Sequence, residues 1–347
     1  MKLSVRTVTA PLRVPWVAAH GTVTDRQLVL VTLEAGDGQV GHGEAAPLPS
    51  YDGVTAEDVS AALDACRPVL DEYRDAAPIA DVLARCAEAT VLPQALAAVD
   101  LALWDLAGRR TQEPVWRLLG APAPAPVAVN YTIAAADRSG AAEEAAQARV
   151  DGYGTVKVKV AIGDDAGRLA AVRAFAGPQM VIRIDANGAW SPAEALAALE
   201  ALEAVGIELC EEPVAGLGAI RALRPVTDIP LALDESADDP QALVAPAAAD
   251  LICLKIARCG GISGTIQTAE RARAAGYGVY LASTLDGPLG IAAALHAAAV
   301  IRPERACGLA TLRLFEGRAD PLPPRRGIMG APQTPGLGEE LFSWYGR

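Results

Sequence analysis

The stretch TVKVKVAIG, residues 155–163, decides how this chain folds. Side chains alternate across a β-strand, so Val156, Val158 and Val160 share one face and Lys157 and Lys159 share the other. The valines read as the buried face of a core strand. Two ammonium groups on the opposite face are then unexpected, because a buried lysine is rare unless it is paired. Candidate partners stand at the ends of other strand-like runs further along the chain.

MVIRIDAN carries Asp185 and Asn187, GIELCEEP carries Glu211 and Glu212, IPLALDES carries Asp234 and Glu235, and LICLKIA carries Lys255. Lys159, Asp185, Glu211, Asp234 and Lys255 follow one another at intervals of 26, 26, 23 and 21 residues. Each interval holds one strand and one helix. VAVNYTI precedes this series, and YGVYLAST and the weaker ACGLATL follow it. Ala-rich helical segments lie between, among them SPAEALAALEALEAV, DPQALVAPAA and LGIAAALHAAAVI. Strand–helix alternation implies right-handed parallel crossovers and predicts an α/β fold, a closed (β/α)8 barrel over residues 121–311. In such a barrel the strand ends converge on one rim, where active sites of the fold are built.

Working outward, residues 1–120 combine a strand meander with helical patterns and are expected to form an α+β capping domain. The Pro-rich APAPAPVAV (121–129) marks a joint. Residues 312–347 lack the alternation and are expected to return to the capping domain. The 347 residues carry a net charge of −12, which argues against a nucleic-acid partner. No run is long and apolar enough for a membrane span, and the charged N-terminal stretch lacks a signal-peptide core, so a cytoplasmic protein is expected. Six scattered cysteines show no CxxC spacing and read as buried thiols. His20, His42 and His296 are far apart in sequence, so a histidine-based metal centre or triad is poorly supplied; His296 reads as a packed or rim residue.

Three carboxylates from adjacent strands make a hard-oxygen site suited to Mg²⁺. Alternation along GIELCEEP leaves open whether Glu211 or Glu212 joins it. Lys157 and Lys159 flank the carboxylates on one side and Lys255 on the other. That layout serves removal of a proton next to a carboxylate, with a lysine as base and the charge stabilised opposite. The base must be neutral near pH 7, and burial, the metal and a neighbouring ammonium are expected to lower its pKa. A Schiff-base lysine is the rival reading, but that chemistry has no use for three carboxylates in register.

KVK, DANGAW, EEP, DES and LKIARCGG together resemble the enolase superfamily, in its muconate lactonizing enzyme subgroup. GHGEAAPLPSYDG and AVDLALWDLAGRR resemble its capping domain, so the likeness spans nearly the whole chain. The resemblance implies Mg²⁺, or Mn²⁺ in its place, on Asp185, Glu211 and Asp234. It implies Lys159 as base with Lys157 beside it, and Lys255 on the opposite face. It picks Glu211 over Glu212.

Members of the subgroup share the proton-abstraction step and differ in substrate, which is expected to be small and to bear a carboxylate. ACGLATLRLF resembles o-succinylbenzoate synthases, which carry out a syn-dehydration in menaquinone biosynthesis. LKIARCGG is nearer to muconate-type cycloisomerases. Dipeptide epimerases carry Asp-x-Asp at the eighth strand, which this chain lacks; N-succinylamino acid racemases remain a further alternative. Asn187, Glu235, and Ser283 and Asp286 of ASTLDGPLG are expected around the substrate. Trp16, His20 and Tyr51, in the segments 15–25 and 47–53, are expected as walls of the pocket. Assembly into a homo-oligomer stays open.

Overall fold

The computed structural model describes residues 1–18, 21–73 and 77–346. The N-terminal part opens with an antiparallel sheet of β1 (Lys2–Ala18), β2 (Gly21–Glu34) and β3 (Val40–Ala45), in that order. β1 and β2 pair from Lys2 opposite Glu34 to Ala18 opposite Gly21, with a register shift between Pro11 and Trp16. Helices α1 (Pro49–Asp52), α2 (Ala56–Glu72), α3 (Ile79–Ala89), α4 (Pro93–Thr111) and α5 (Val115–Leu118) follow. α2 starts at a capping box in which Thr55 and Asp58 satisfy each other's backbone N–H groups. Val29, Val31 and Leu33 of β2 pack against Val59, Leu63 and Leu70 of α2 and Val99 of α4. Gly41 and Gly43 let β3 lie directly on α4: a Cβ on either would overlap the carbonyl oxygen of Ala102 or Ala98.

Residues 121–126 carry neither helix nor strand. The larger unit then runs β4 (Val127–Ala128), β5 (Tyr131–Ile133), α6 (Arg138–Val150), β6 (Thr155–Lys159), α7 (Asp165–Ala176), β7 (Val181–Asp185), α8 (Pro192–Leu202), β8 (Ile207–Glu211) and α9 (Leu217–Leu223). It continues with β9 (Leu231–Leu233), β10 (Leu251–Leu254), α10 (Ile262–Ala275), β11 (Gly278–Leu281) and α11 (Pro288–Ile301), and β12 (Ile328–Met329) pairs with β4. β5 to β11 form one curled parallel sheet in chain order. Single bridges from Cys307 to Val129 and from Gly308 to Ala282 join its two edges, so ACGLATL closes the barrel without forming a full strand.

One expected helix is absent. DPQALVAPAA folds as turns, because Pro240 and Pro246 leave too few residues between them to nucleate a helix. The C-terminal residues lie on the capping sheet: the Phe342 ring stacks on His42 at 3.7 Å, and Tyr345 donates to Glu44. No helix among the described residues is long and apolar enough to cross a membrane.

Candidate active site

The parallel register sets the first part of the site. Lys159 lies opposite Asp185, and Asp185 opposite Glu211, at the C-terminal ends of β6, β7 and β8. Asp234 and Lys255 each follow directly on β9 and β10. Val156, Val158 and Val160 are fully buried toward the helices, and the lysines between them turn inward. The backbone is unusual at this rim. Ala161, Asn187, Glu212 and Leu285 all adopt left-handed φ values, from 40° to 62°, which disfavour residues with a Cβ.

The Lys157 ammonium donates to Asp185 at 2.9 Å and to Glu211 at 2.7 Å. Lys159 donates to the same Asp185 oxygen at 2.6 Å and to Asn187 Oδ1 at 2.8 Å. Asn187 Nδ2 in turn donates to Glu235 at 2.9 Å. Across the barrel Lys255 donates to Asp234 and, at 2.7 Å, to the Tyr51 hydroxyl; that hydroxyl donates to Asp234 at 2.8 Å. The puzzling lysines are therefore paired, each by a buried carboxylate.

Glu211 and Glu212 diverge. Glu211 turns into the barrel, where Tyr280 donates to it at 2.7 Å. Glu212 turns away and accepts from the backbone N–H of Asp234 at 2.8 Å, from that of Ser236 at 3.0 Å, and from the Ser236 hydroxyl. It braces the turn that presents Asp234.

Burial works against the charged form of Lys157, but Asp185 and Glu211 outweigh it and hold Lys157 well above the ordinary lysine range. Lys255 is raised in the same way by Asp234. At Lys157 the lowering expected from a neighbouring ammonium is thus overridden by the carboxylates. Burial likewise opposes ionisation of Asp185 and Asp234. Lys157 and Lys159 nevertheless hold Asp185 below the usual carboxylate range, and Lys255, Lys157 and Arg258 bring Asp234 down to about 2.

The donor set suits a hard divalent cation: Asp185, Glu211 and Asp234 are all buried, at most 3% exposed, and offer oxygen only. Three lysines face these three carboxylates, and burial raises Glu211 to about 7, which weakens the negative charge at that position. A divalent cation would leave an excess of positive charge, which a neutral lysine and an anionic substrate would offset.

A cavity opens above this ring. Trp16, Leu48, Ser50 and Tyr51 wall it from the capping side, and Thr132, Ser283, Leu285 and Thr311 from the barrel. Lys157, Lys159, Asn187, Asp234 and Lys255 form its floor. Ser283 and Thr311 hydroxyls meet at 2.9 Å. Asp286, expected beside the substrate, does not line the cavity. It is buried behind the wall, where Thr284 donates to it at 2.7 Å. His20 lies outside the described residues. Arg26, buried beneath both walls, donates to the carbonyls of Ala46 at 2.9 Å, Pro47 at 2.7 Å and Thr284 at 3.2 Å.

Several contributors besides Thr132, Leu285 and Arg26 were not singled out in the sequence. Arg258 donates to Tyr51 and to the carbonyl of Glu235 at 3.1 Å. Tyr280 and Cys253 lie on inward-facing strand positions, and Thr311 on the closing segment. Inward alternation back from Lys255 and Ala282 would have found the two strand residues. Arg258 sits in a turn and gives no periodic signal.

Comparison with known proteins agrees in both halves. Residues 1–120 match the family described as mandelate racemase / muconate lactonizing enzyme, N-terminal domain, and residues 140–343 match the enolase C-terminal domain-like family. The N-succinyl-L-Arg/Lys racemase of Bacillus cereus is 30% identical over 304 residues, covering 83% of this chain and 80% of that protein. The o-succinylbenzoate synthase of Mycobacterium tuberculosis is 41% identical over 220 residues, covering 60% of this chain and 65% of that protein. Among solved structures, a dipeptide epimerase from Cytophaga hutchinsonii, complexed with Mg and D-Ala-L-Val, superposes with a TM-score of 0.87 at 26% identity. That match covers 97% of this chain and 94% of the other.

Proposed function

This chain belongs to the enolase superfamily, in its muconate lactonizing enzyme subgroup, and from that premise we propose that it removes a proton α to a substrate carboxylate, as an o-succinylbenzoate synthase. The observation that carries the half-reaction is the placement of lysines on two opposite sides of one buried carboxylate ring, all open to a single cavity.

Asp185, Glu211 and Asp234 are the residues that would hold Mg²⁺, which when bound supplies positive charge next to the substrate carboxylate. Lys159 is the base. Asn187 and Asp185 fix its Nζ at the cavity floor, and Lys157, held protonated by its two carboxylates, keeps a positive charge beside it. Lys255 faces the developing negative charge from the other side, oriented by Tyr51 and Asp234. In the synthase reaction Lys159, once protonated, returns that proton to the departing hydroxide on the same face.

Two observations favour the synthase. A stretch of 220 residues is 41% identical to such an enzyme. The wall at the closing segment carries Gly308 and Thr311 rather than a carboxylate pair, so nothing there would hold a substrate ammonium group. A dicarboxylate also meets the charge balance of the ring. Racemisation of N-succinylamino acids is the second reading, favoured by the 30% identity to the Bacillus cereus racemase over most of both chains.

The test is a Mg²⁺-dependent activity screen in deuterated solvent with the o-succinylbenzoate precursor, N-succinylamino acids, cis,cis-muconate and dipeptides. Dehydration of the precursor at the highest kcat/KM is the expected outcome. A higher kcat/KM for deuterium exchange into an N-succinylamino acid would assign the racemase instead. No exchange into any carboxylate substrate would remove the half-reaction itself.

A further inference from the structure

Cys253 and Lys255 lie two residues apart at the end of β10 and point to the same side, into the barrel. Cys253 is 3% exposed. Its Sγ, one carboxylate oxygen of Glu211 and one of Asp234 all lie within 4.8 Å of one another. Other buried thiols here reach a carbonyl: Cys66 that of Cys86 at 3.9 Å, and Cys307 that of Arg305 at 3.8 Å. The Cys253 thiol has no hydrogen-bond partner among the described residues. A polar, polarisable atom is thus buried without a partner and aimed at two carboxylates.

We infer that Cys253, Glu211 and Asp234 form a site for a thiophilic divalent cation, Zn²⁺ or Cd²⁺. Two carboxylates and one thiolate make a donor set that such ions accept in four-coordinate geometry, with water as the remaining ligand. Mg²⁺ takes oxygen donors and has no use for the sulfur. The set differs from the ring assigned to Mg²⁺ by exchanging Asp185 for Cys253. Asp185 is already engaged by Lys157 and Lys159, whereas Cys253 is not engaged at all. Metal–sulfur bond formation releases the thiol proton to solvent. The resulting thiolate adds the negative charge needed for a cation to sit near the Lys157 and Lys255 ammonium groups. Because Glu211 and Asp234 belong to both sets, a thiophilic ion and Mg²⁺ exclude each other, and Zn²⁺ acts as an inhibitor. The inference goes beyond the proposed reaction and needs no particular substrate.

The test is a Cd²⁺ titration of the full chain, followed by the ultraviolet thiolate-to-metal charge-transfer band, in wild type, Cys253→Ser, Cys253→Ala and the control Cys259→Ser. Thermal melts establish that each variant is folded. A saturable one-equivalent band is expected in wild type and Cys259→Ser and is lost in both Cys253 variants. Their Cd²⁺ affinity falls by at least about tenfold while Mg²⁺ binding is retained. No band in wild type, or a band unchanged in Cys253→Ser, overturns the inference. Mg²⁺ binding without a thiolate band removes this inference and leaves the proposed function standing. A Cys253-dependent band without any Mg²⁺ binding does the reverse.

Discussion

Lys159 and Lys157 share one carboxylate oxygen of Asp185, yet their surroundings give them different work. Lys157 has a second carboxylate, Glu211, whereas Lys159 has the neutral amide of Asn187. Lys159→Ala is expected to lower kcat by about 10²- to 10⁴-fold with Mg²⁺ affinity retained, as read by single-turnover kinetics and calorimetry. A near-normal kcat would reassign the base. The adjacent glutamates separate in the same way. Glu211→Gln weakens Mg²⁺ binding by at least the roughly tenfold known for losing a supporting partner of a ligand. Glu212→Ala leaves two backbone N–H groups and a hydroxyl without their acceptor, and lowers stability by about 3 kcal/mol in urea unfolding. Equal effects of the two substitutions on metal binding would contradict the divergence seen between them.

At the level of elements, packing rests on a few positions that tolerate no change. Gly43 has no room for a Cβ beneath Ala98, so Gly43→Ala pushes β3 off α4. It is expected to destabilise by about 1–3 kcal/mol, measured as a lower melting temperature. α11 carries the buried His296, whose Nδ1 accepts the Trp116 N–H at 3.1 Å. Its Nε2 therefore bears the hydrogen and donates to Leu337 O at 3.2 Å. Burial pushes this imidazole down to about 4 from 6.5. Between those values the unfolded chain takes up a proton that the native one does not. The neutral imidazole's contribution is therefore full above pH 6.5 and is lost as pH falls toward 4. Urea midpoints at pH 7 and pH 5 should differ less in His296→Gln than in wild type. An unchanged difference would assign the acid sensitivity elsewhere.

The strands of the barrel were legible because alternation and regular spacing coincide at Lys159, Asp185, Glu211, Asp234 and Lys255. The helix expected over DPQALVAPAA was not, because alanine content suggested helix while two prolines limited its length. Trp16 and Tyr51 could be proposed as walls from sequence, but not that Tyr51 reaches across to Asp234, since that contact joins residues 183 positions apart. Asp286 failed as a wall for a related reason. Alternation breaks after β11, at the left-handed Leu285, so the following side chain turns into the interior.

For the molecule as a whole, three buried carboxylates gather at one rim, and a bound cation would draw on all of them. Saturating Mg²⁺, at about a hundred times its dissociation constant, is expected to stabilise the fold by about 2.7 kcal/mol. Excess EDTA should reverse this without unfolding the chain, because each carboxylate of the ring is already paired with a lysine. Calorimetric melting in both conditions checks it; a melt indifferent to Mg²⁺ would mean that no ion enters the folded site.

Arg26 joins the two walls through main-chain carbonyls only, those of Ala46, Pro47 and Thr284. Every amino acid supplies the same carbonyl, so the frame of the cavity does not depend on which side chains decorate it. Leu48, Ser50 and Leu285 are therefore free to be exchanged for others while the opening keeps its width and the lysines their aim. A scaffold of this kind would let the cavity's lining change by single substitutions while the lysines and carboxylates at the rim keep their places.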